Sequence, residues 1–389
     1  MKRFVPLAVM ILFAANSATV LTPASAASPT PRPQQPPPRI VSPEVQSDHR
    51  VTFRFRDPNA KEVAVLLEGQ TKPMPMQKDD QGVWSVTTDP LEPDYYGYTF
   101  IADGVGLFDP SNPLRKPNFL FVSSEVHVPG PPSLPWEVND VAHGVVHHHF
   151  YHSAVVGDDR DYYVYTPPGY DPKARRLYPV LYLLHGYSDD ASGWTAVGRA
   201  NVILDNLIAQ GKAKPMVIVM TLGYGDLAML SRGFGAFSDN SLRERNLKNF
   251  RDALITEVIP QVERTYRVMG ARDMRAIAGL SMGGSESLFV GLNNLDRFAW
   301  VGAFSSGGLS EDFASQFPNL DAKANSQLRL LWIACGTEDR LIDFNRKFRG
   351  WLKSKGVEHT DIETPGAHTW MVWRRNLSNF VPLLFQEKK

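Results

Sequence analysis

Residues Met274–Glu286 read MRAIAGLSMGGSE: a short apolar run, then Gly279-Leu280-Ser281-Met282-Gly283, then residues fit to open a helix. No other G-x-S-x-G occurs in the 389-residue chain. A strand that turns sharply into a helix strains the backbone of the central serine and leaves no room for a side chain on either flanking residue. That is the physical use of the two glycines. The turn also presents the serine hydroxyl at the C-terminal end of a strand, so the stretch predicts Ser281 as a nucleophile at the edge of a sheet.

Working outward, further apolar runs suited to buried parallel strands are VLYLL (180–184), MVIVM (216–220) and LRLLWIA (328–334). Helix-like stretches lie between and beyond them, at 200–209, 247–266, 285–292 and 342–355. Repeated strand–helix units predict an α/β fold with a doubly wound, mostly parallel sheet, whose ligands bind beyond the C-terminal ends of its strands.

A serine hydroxyl is a weak nucleophile at neutral pH and needs an imidazole to take its proton and a carboxylate to orient that imidazole. Two residues, each just past a strand-like segment, fit these roles: Asp339 in GTED after LRLLWIAC, and His368 in PGAH after 357–364. Glu338 and Asp343 stand close enough to compete for the acid role. The developing oxyanion needs two backbone N–H donors. Met282 is expected to supply one, and Tyr187, in LLHGY after the 180–184 strand, the other. His185 is read as a structural residue beneath the site.

Upstream the pattern changes. Lys2 and Arg3, an apolar stretch from Phe4 to Ala14 and Ala24-Ser25-Ala26 resemble a secretory signal over 1–26 with an A-x-A cleavage point. ASPTPRPQQPPPR (27–39) is too proline-rich to pack and is expected to be an extended tether. From 40 to 128 the pattern is short and β-like, with Val51, Phe53 and Phe55 alternating against Thr52, Arg54 and Arg56. Strands are expected there and at 63–67, 83–87 and 96–102, as a small all-β, immunoglobulin-like sandwich. PGPPSLP opens a second linker (129–140), and 141–389 is the expected catalytic domain.

Composition narrows the partners. Lys plus Arg and Asp plus Glu both number 41, so no basic excess favours nucleic acid, and the first apolar stretch is too short to span a bilayer. The single cysteine, Cys335, precludes an internal disulfide and sits in an apolar run as an expected inert thiol. His147, His148, His149 and His152 would alternate across a strand without a matching carboxylate or cysteine pattern, so no metal and no cofactor are expected. The long loop 223–245, with Tyr224, is a candidate pocket wall, and Trp370 and Trp373 stand near the histidine. Trp194, Tyr224 and Trp370 are the expected substrate contacts. Trp84, Tyr95, Tyr96 and Tyr98 form either a sugar-stacking platform or packing against the catalytic domain.

Taken together, YPVLYLLHGYSDDASGW (178–194), GLSMGG (279–284), CGTEDRL (335–341) and PGAHTWMVWR (365–374) resemble the esterase D and feruloyl esterase branch of the α/β-hydrolases, from about Val145 to the C-terminus. The resemblance implies the triad Ser281, Asp339, His368 and an oxyanion hole from the amides of Tyr187 and Met282. RFRDPNAKEVAV, DDQGVWSVT and YTFIADGVGLFDPSNP resemble the N-terminal β-sandwich modules of isoamylase-type and glycogen-branching enzymes, which implies contact with carbohydrate. The expectation is a secreted or periplasmic serine ester hydrolase that removes feruloyl or acetyl groups from plant polysaccharide such as arabinoxylan. Its rivals are a siderophore esterase of the enterochelin type, an acyltransferase of the mycolyl transferase kind and a non-catalytic polysaccharide-binding protein.

Overall fold

The computed structural model describes residues 39–387, so the expected export signal (1–26) and all of the tether (27–39) except Arg39 lie outside the described residues. The first layer is built from β1 (Val51–Arg56), β2 (Val63–Leu67), β3 (Val83–Thr87), β4 (Asp94–Ala102) and β5 (Ser124–Val128). β1 pairs with β3, and β4 pairs with β2 and β5, all antiparallel. Alternate residues of the two sheets face each other. Phe53, Phe100 and Val65 are fully buried, and the rings of Phe53 and Tyr98 pack 4.6 Å apart.

The second layer is a sheet of eight strands: β6 (Val145–Ser153), β7 (Asp158–Thr166), β8 (Val180–Leu184), β9 (Val217–Thr221), β10 (Arg275–Leu280), β11 (Trp300–Phe304), β12 (Leu330–Gly336) and β13 (Thr360–Thr364). Their order across the sheet is β6-β7-β9-β8-β10-β11-β12-β13. The hairpin β6–β7 is antiparallel, β7 meets β9 antiparallel, and the remaining strands run parallel. The helices that position the site are α1 (Ala200–Ala209), α2 (Asn240–Ala253), α3 (Met282–Asn293), α4 (Ile342–Ser354) and α5 (Trp370–Phe380). The central strands are buried on both faces, with β8, β9, β10 and β11 showing no exposed residue. This is the doubly wound α/β sheet that the alternating pattern implies, preceded by a β-sandwich.

From Ile40 onward the chain clusters as one unit, and its junction is packed rather than loose. The 129–140 stretch, expected as a linker, packs against both layers. Trp136 is buried and donates through Nε1 to Asp94 of β4, and Asn206 of α1 donates to the carbonyls of Pro135 and Glu137. Proline richness stiffens a chain, but one buried indole is enough to seat it. Among the described residues no helix is long and apolar enough to cross a membrane.

Candidate active site

Ser281 follows β10 directly and precedes α3, at φ 51° and ψ −114°. A non-glycine residue there stores on the order of 1–3 kcal/mol of strain, which the surroundings must hold. They do so through Ser281 N donating to Phe304 O (2.8 Å) and Gly307 N donating to Ser281 O (3.0 Å). The flanking glycines are required sterically. A Cβ on Gly279 would lie 2.5 Å from Gly283 O, and one on Gly283 would lie 2.4 Å from His185 O.

His368 comes from the loop between β13 and α5 and Asp339 from the loop after β12. Those loops touch closely: a Cβ on Gly336 would lie 2.1 Å from Gly366 O, and Thr337 N donates to Thr364 O. His368 Nε2 stands 3.0 Å from Ser281 Oγ and Nδ1 stands 2.8 Å from Asp339 Oδ2. This fits an imidazole that donates from Nδ1 to the carboxylate and accepts the serine hydroxyl at Nε2. Burial pushes the Asp339 carboxyl up, yet the His368 contact, the Leu341 amide and the Ser305 hydroxyl outweigh it and hold the group below the ordinary aspartate value. Trp373 packs edge-on against the His368 ring and donates through Nε1 to Ser305 Oγ. Glu338 is exposed at the rim and Asp343 pairs with Arg346, so neither stands on the imidazole.

A cavity of about 240 Å³ opens on Ser281 and His368. Its walls include Tyr187, Asp189, Phe234, Arg340, Trp370 and Trp373, together with Glu68, Lys116, Asn118 and Phe121 of the β-sandwich. The adjoining groove of about 490 Å³ runs between sandwich and catalytic layer and shares Glu68, Lys116, Asn118, Phe121, Arg340 and His368 with it. Gly186 lies against the serine, since a Cβ there would be 3.4 Å from Ser281 Cβ. Among the described residues the Tyr187 amide has no backbone acceptor, and Met282, as the first residue of α3, has an amide without an intrahelical partner.

Several expected contacts fall elsewhere. Trp370 lines the cavity, but Trp194 and Tyr224 do not. Trp194 is fully buried behind Trp370 and donates to Leu184 O, while Tyr224 is fully buried with its hydroxyl on Asp189 O. Both support the wall rather than form it. The sugar-stacking platform is also corrected, because all four rings are buried. Trp84 donates to Asp57 O, Tyr96 to Glu92 O and Tyr98 to Asp109, whereas Tyr95 stacks on His127 beneath Arg199. Strand alternation aims Tyr96 and Tyr98 into the sandwich core and Tyr95 at the catalytic layer.

His185 is buried, with Nδ1 donating to Gly186 O and Nε2 accepting from Gly223 N, a structural arrangement under the turn. The loop 223–245 contains a helical turn (Ala228–Ser231) and a 3-10 segment (Gly233–Ser238), and contributes Phe234 to the cavity. His148, His149 and His152 contact Asp161, Tyr266 and Asp159 respectively, and among the described residues no group of three or more metal-binding side chains is found. Cys335 is buried, its thiol pushed up to about 12 by burial. Sequence reasoning missed Glu68, Lys116, Asn118, Phe121 and Ser305. The first four lie far along the chain from Ser281, and no motif marks them.

A strained serine between a parallel strand and a helix, joined through a histidine to a buried aspartate, defines the class: an α/β-hydrolase. Residues 153–384 match the Esterase family model, and the chain belongs to that family. Residues 41–115 match carbohydrate-binding module 48 (isoamylase N-terminal domain). An endo-1,4-beta-xylanase/feruloyl esterase of Xylanibacter ruminicola is 29% identical over 351 residues, which cover 88% of this chain and 46% of that protein. The chain thus spans less than half of that relative's length. A ferulic acid esterase structure from the fungus Anaeromyces mucronatus superposes with TM-score 0.56 at 26% identity, covering 64% of this chain and 93% of the other. An enterochelin esterase from Shigella flexneri superposes with TM-score 0.66 at 20% identity over 88% of this chain and 94% of its own, a likeness of fold alone.

Proposed function

We propose that this chain is an exported serine ester hydrolase that removes feruloyl or acetyl groups from plant polysaccharide, with Ser281, His368 and Asp339 as its triad. The observation that carries the reading is the hydrogen-bonded chain Ser281–His368–Asp339 opening into a cavity walled partly by the carbohydrate-binding-type sandwich. Ser281 Oγ attacks the ester carbonyl while His368 Nε2 takes its proton. The tetrahedral oxyanion is met by the amides of Tyr187 and Met282, and the alcohol leaves with the proton returned by His368. Water, deprotonated by the same nitrogen, then attacks the acyl-serine and releases the acid. Asp339 stays ionised and stabilises the imidazolium throughout.

The substrate assignment is supported by the similarity to the xylanase/feruloyl esterase and by the groove of about 490 Å³ beside the cavity, which leaves room for an alcohol larger than the cavity itself would hold. The signal-like segment at 1–26 favours action outside the cytoplasm. The test is release of ferulate and acetate from arabinoxylan by protein starting at Ala27, beside a Ser281→Ala control. Serine-dependent release of either acid is expected. Cleavage of p-nitrophenyl acetate with no acid released from arabinoxylan would move the substrate away from xylan while keeping the triad.

A further inference from the structure

We infer that Asn118 of the β-sandwich is a positioning residue for the oxyanion hole, so that the module acts on the chemical step as well as on the sugar. The inference rests on the reading of Ser281 as nucleophile and Tyr187 N as an oxyanion donor.

The turn Gly186–Asp189 has to hold the Tyr187 amide toward Ser281. Ser188, the next residue, has φ 72°, a conformation that a serine adopts only when its neighbours hold it. Its side chain and its carbonyl are held from the other layer. Asn118 Nδ2 donates to Ser188 Oγ (3.0 Å) and to Asp189 Oδ1 (3.0 Å), and Phe119 N donates to Ser188 O (2.7 Å). Asn118 is itself fixed, because its Oδ1 accepts from the amides of Leu120 and Phe121, 3.0 Å each. All four polar positions of this amide therefore serve one purpose: its oxygen ties down its own loop, and its NH₂ bridges two residues of the opposite turn.

The catalytic layer braces other parts of the turn. Within it, Asp189 N donates to Gly186 O, the Tyr187 hydroxyl donates to Met229 O and the Tyr224 hydroxyl donates to Asp189 O. None of these three bonds reaches the Ser188 side chain or its carbonyl. The Asp189 side chain is buried, and Asn118 is the side-chain donor on its carboxyl. Without that donor the carboxyl seeks water, and the turn that carries it shifts. A shift of about 1 Å in a group that meets the transition state costs up to about 100-fold in rate. The contact thus spans 71 residues of sequence to set a backbone N–H beside the nucleophile.

The test uses the full chain with p-nitrophenyl acetate, an ester too small to need a polysaccharide-binding surface. Asn118→Ala is expected to lower kcat about 10- to 100-fold with KM changed less than about threefold and with fluorophosphonate labelling of Ser281 slowed in parallel. Asn118→Asp removes the donor while keeping the acceptor for Leu120 and Phe121, and should lose rate similarly. Adding Asp189→Asn to it restores a donor–acceptor pair with the roles exchanged and should recover most of the rate. Wild-type kcat in Asn118→Ala, with only the KM for arabinoxylan raised, would overturn the inference in favour of a substrate contact. Rate loss in both single variants with no recovery in the exchanged pair would overturn it in favour of general destabilisation. Ser281→Ala in the same assay separates the two levels: residual wild-type turnover there would remove the nucleophile assignment itself.

Discussion

Arg374 of α5 is fully buried and donates through Nη2 to Asp94 Oδ1 of the β-sandwich at 2.8 Å, with the carbonyls of Tyr95 and Val197 as its further acceptors. The same carboxylate oxygen accepts from Trp136 Nε1 and Tyr95 N. One guanidinium thus joins the last helix, the sandwich and the segment that precedes α1. A charged group taken this far from water is stable only while all its partners remain. The junction between layers is therefore a structural element, not a hinge.

Replacing Arg374 by Met should show this. The change removes the cation but leaves the Asp94 carboxylate buried, and about 3–5 kcal/mol of stability should be lost. Thermal or urea unfolding of Arg374→Met beside the parent measures it. Because the layers share this site, the parent should unfold from residue 40 onward in one transition. Two separated transitions in the parent would contradict a joined structure.

Asp339 carries the second prediction. Its carboxyl is held below the ordinary aspartate value, so the stability it contributes is present above about 3.8 and is lost as pH falls through its lowered folded value. Asp339→Asn should cut kcat by up to about 10⁴-fold by fixing the wrong histidine tautomer, while Glu338→Gln stays within about twofold. The pH profile of kcat/KM for the three proteins tests both points, and a larger loss in Glu338→Gln would reassign the acid.

Glu125 gives a pH dependence of the opposite sign. It lies buried in β5, and burial outweighs the attraction of Arg374, Arg199 and Lys116, with Glu68 adding repulsion, so its carboxyl is pushed up to about 7. A group that keeps its proton in the fold but loses it near 4.5 when unfolded contributes fully at low pH. That contribution shrinks as pH rises to about 7 and then stays flat. The span corresponds to about 3 kcal/mol. Glu125→Gln should match the parent at pH 4.5 and exceed its melting temperature at pH 8. Equal melting temperatures at both pH values would show that the carboxyl is solvated.

Phe121 of the sandwich and Phe234 of the 223–245 loop meet at the cavity mouth, with centroids 6.2 Å apart and both rings about half exposed. Two exposed faces at a cavity mouth suit a flat acyl group or a sugar ring. An aromatic pair of this kind contributes about 0.5–1.5 kcal/mol, so truncating either ring should raise KM for an aryl-acyl ester about 2- to 10-fold. Acetyl esters should be nearly unaffected. Steady-state kinetics of methyl ferulate against p-nitrophenyl acetate for Phe121→Ala and Phe234→Ala makes the comparison.

The sequence was most legible where function demands special backbone. Gly279 and Gly283 are written into the chain because a Cβ at either would strike a carbonyl, and Gly336 is fixed by the approach of the histidine loop. The strand ranges 51–56, 63–67, 83–87 and 180–184 agree with the structure to the residue, since alternation or continuous apolarity reports burial directly. β11 (Trp300–Phe304) is not marked by its sequence, because the glycine in WVGAF interrupts the apolar run and only one residue is β-branched.

Aromatic side chains were the least legible. Trp194, Tyr224, Tyr96 and Tyr98 could all stack on a ligand by composition, yet all four are buried, and the rings that face the cavity include Phe121 and Phe234. Local sequence by itself determined the Ser281 turn, the order of strands and helices and the positions of Asp339 and His368, because each depends on backbone sterics or burial within a few residues. Tertiary structure alone decided that Asn118 braces the turn at Ser188, that Arg374 closes on Asp94 and that the sandwich forms a wall of the cavity. Those contacts join residues 70 to 280 positions apart, and their partners are chosen by the docking of two layers, which no local pattern encodes.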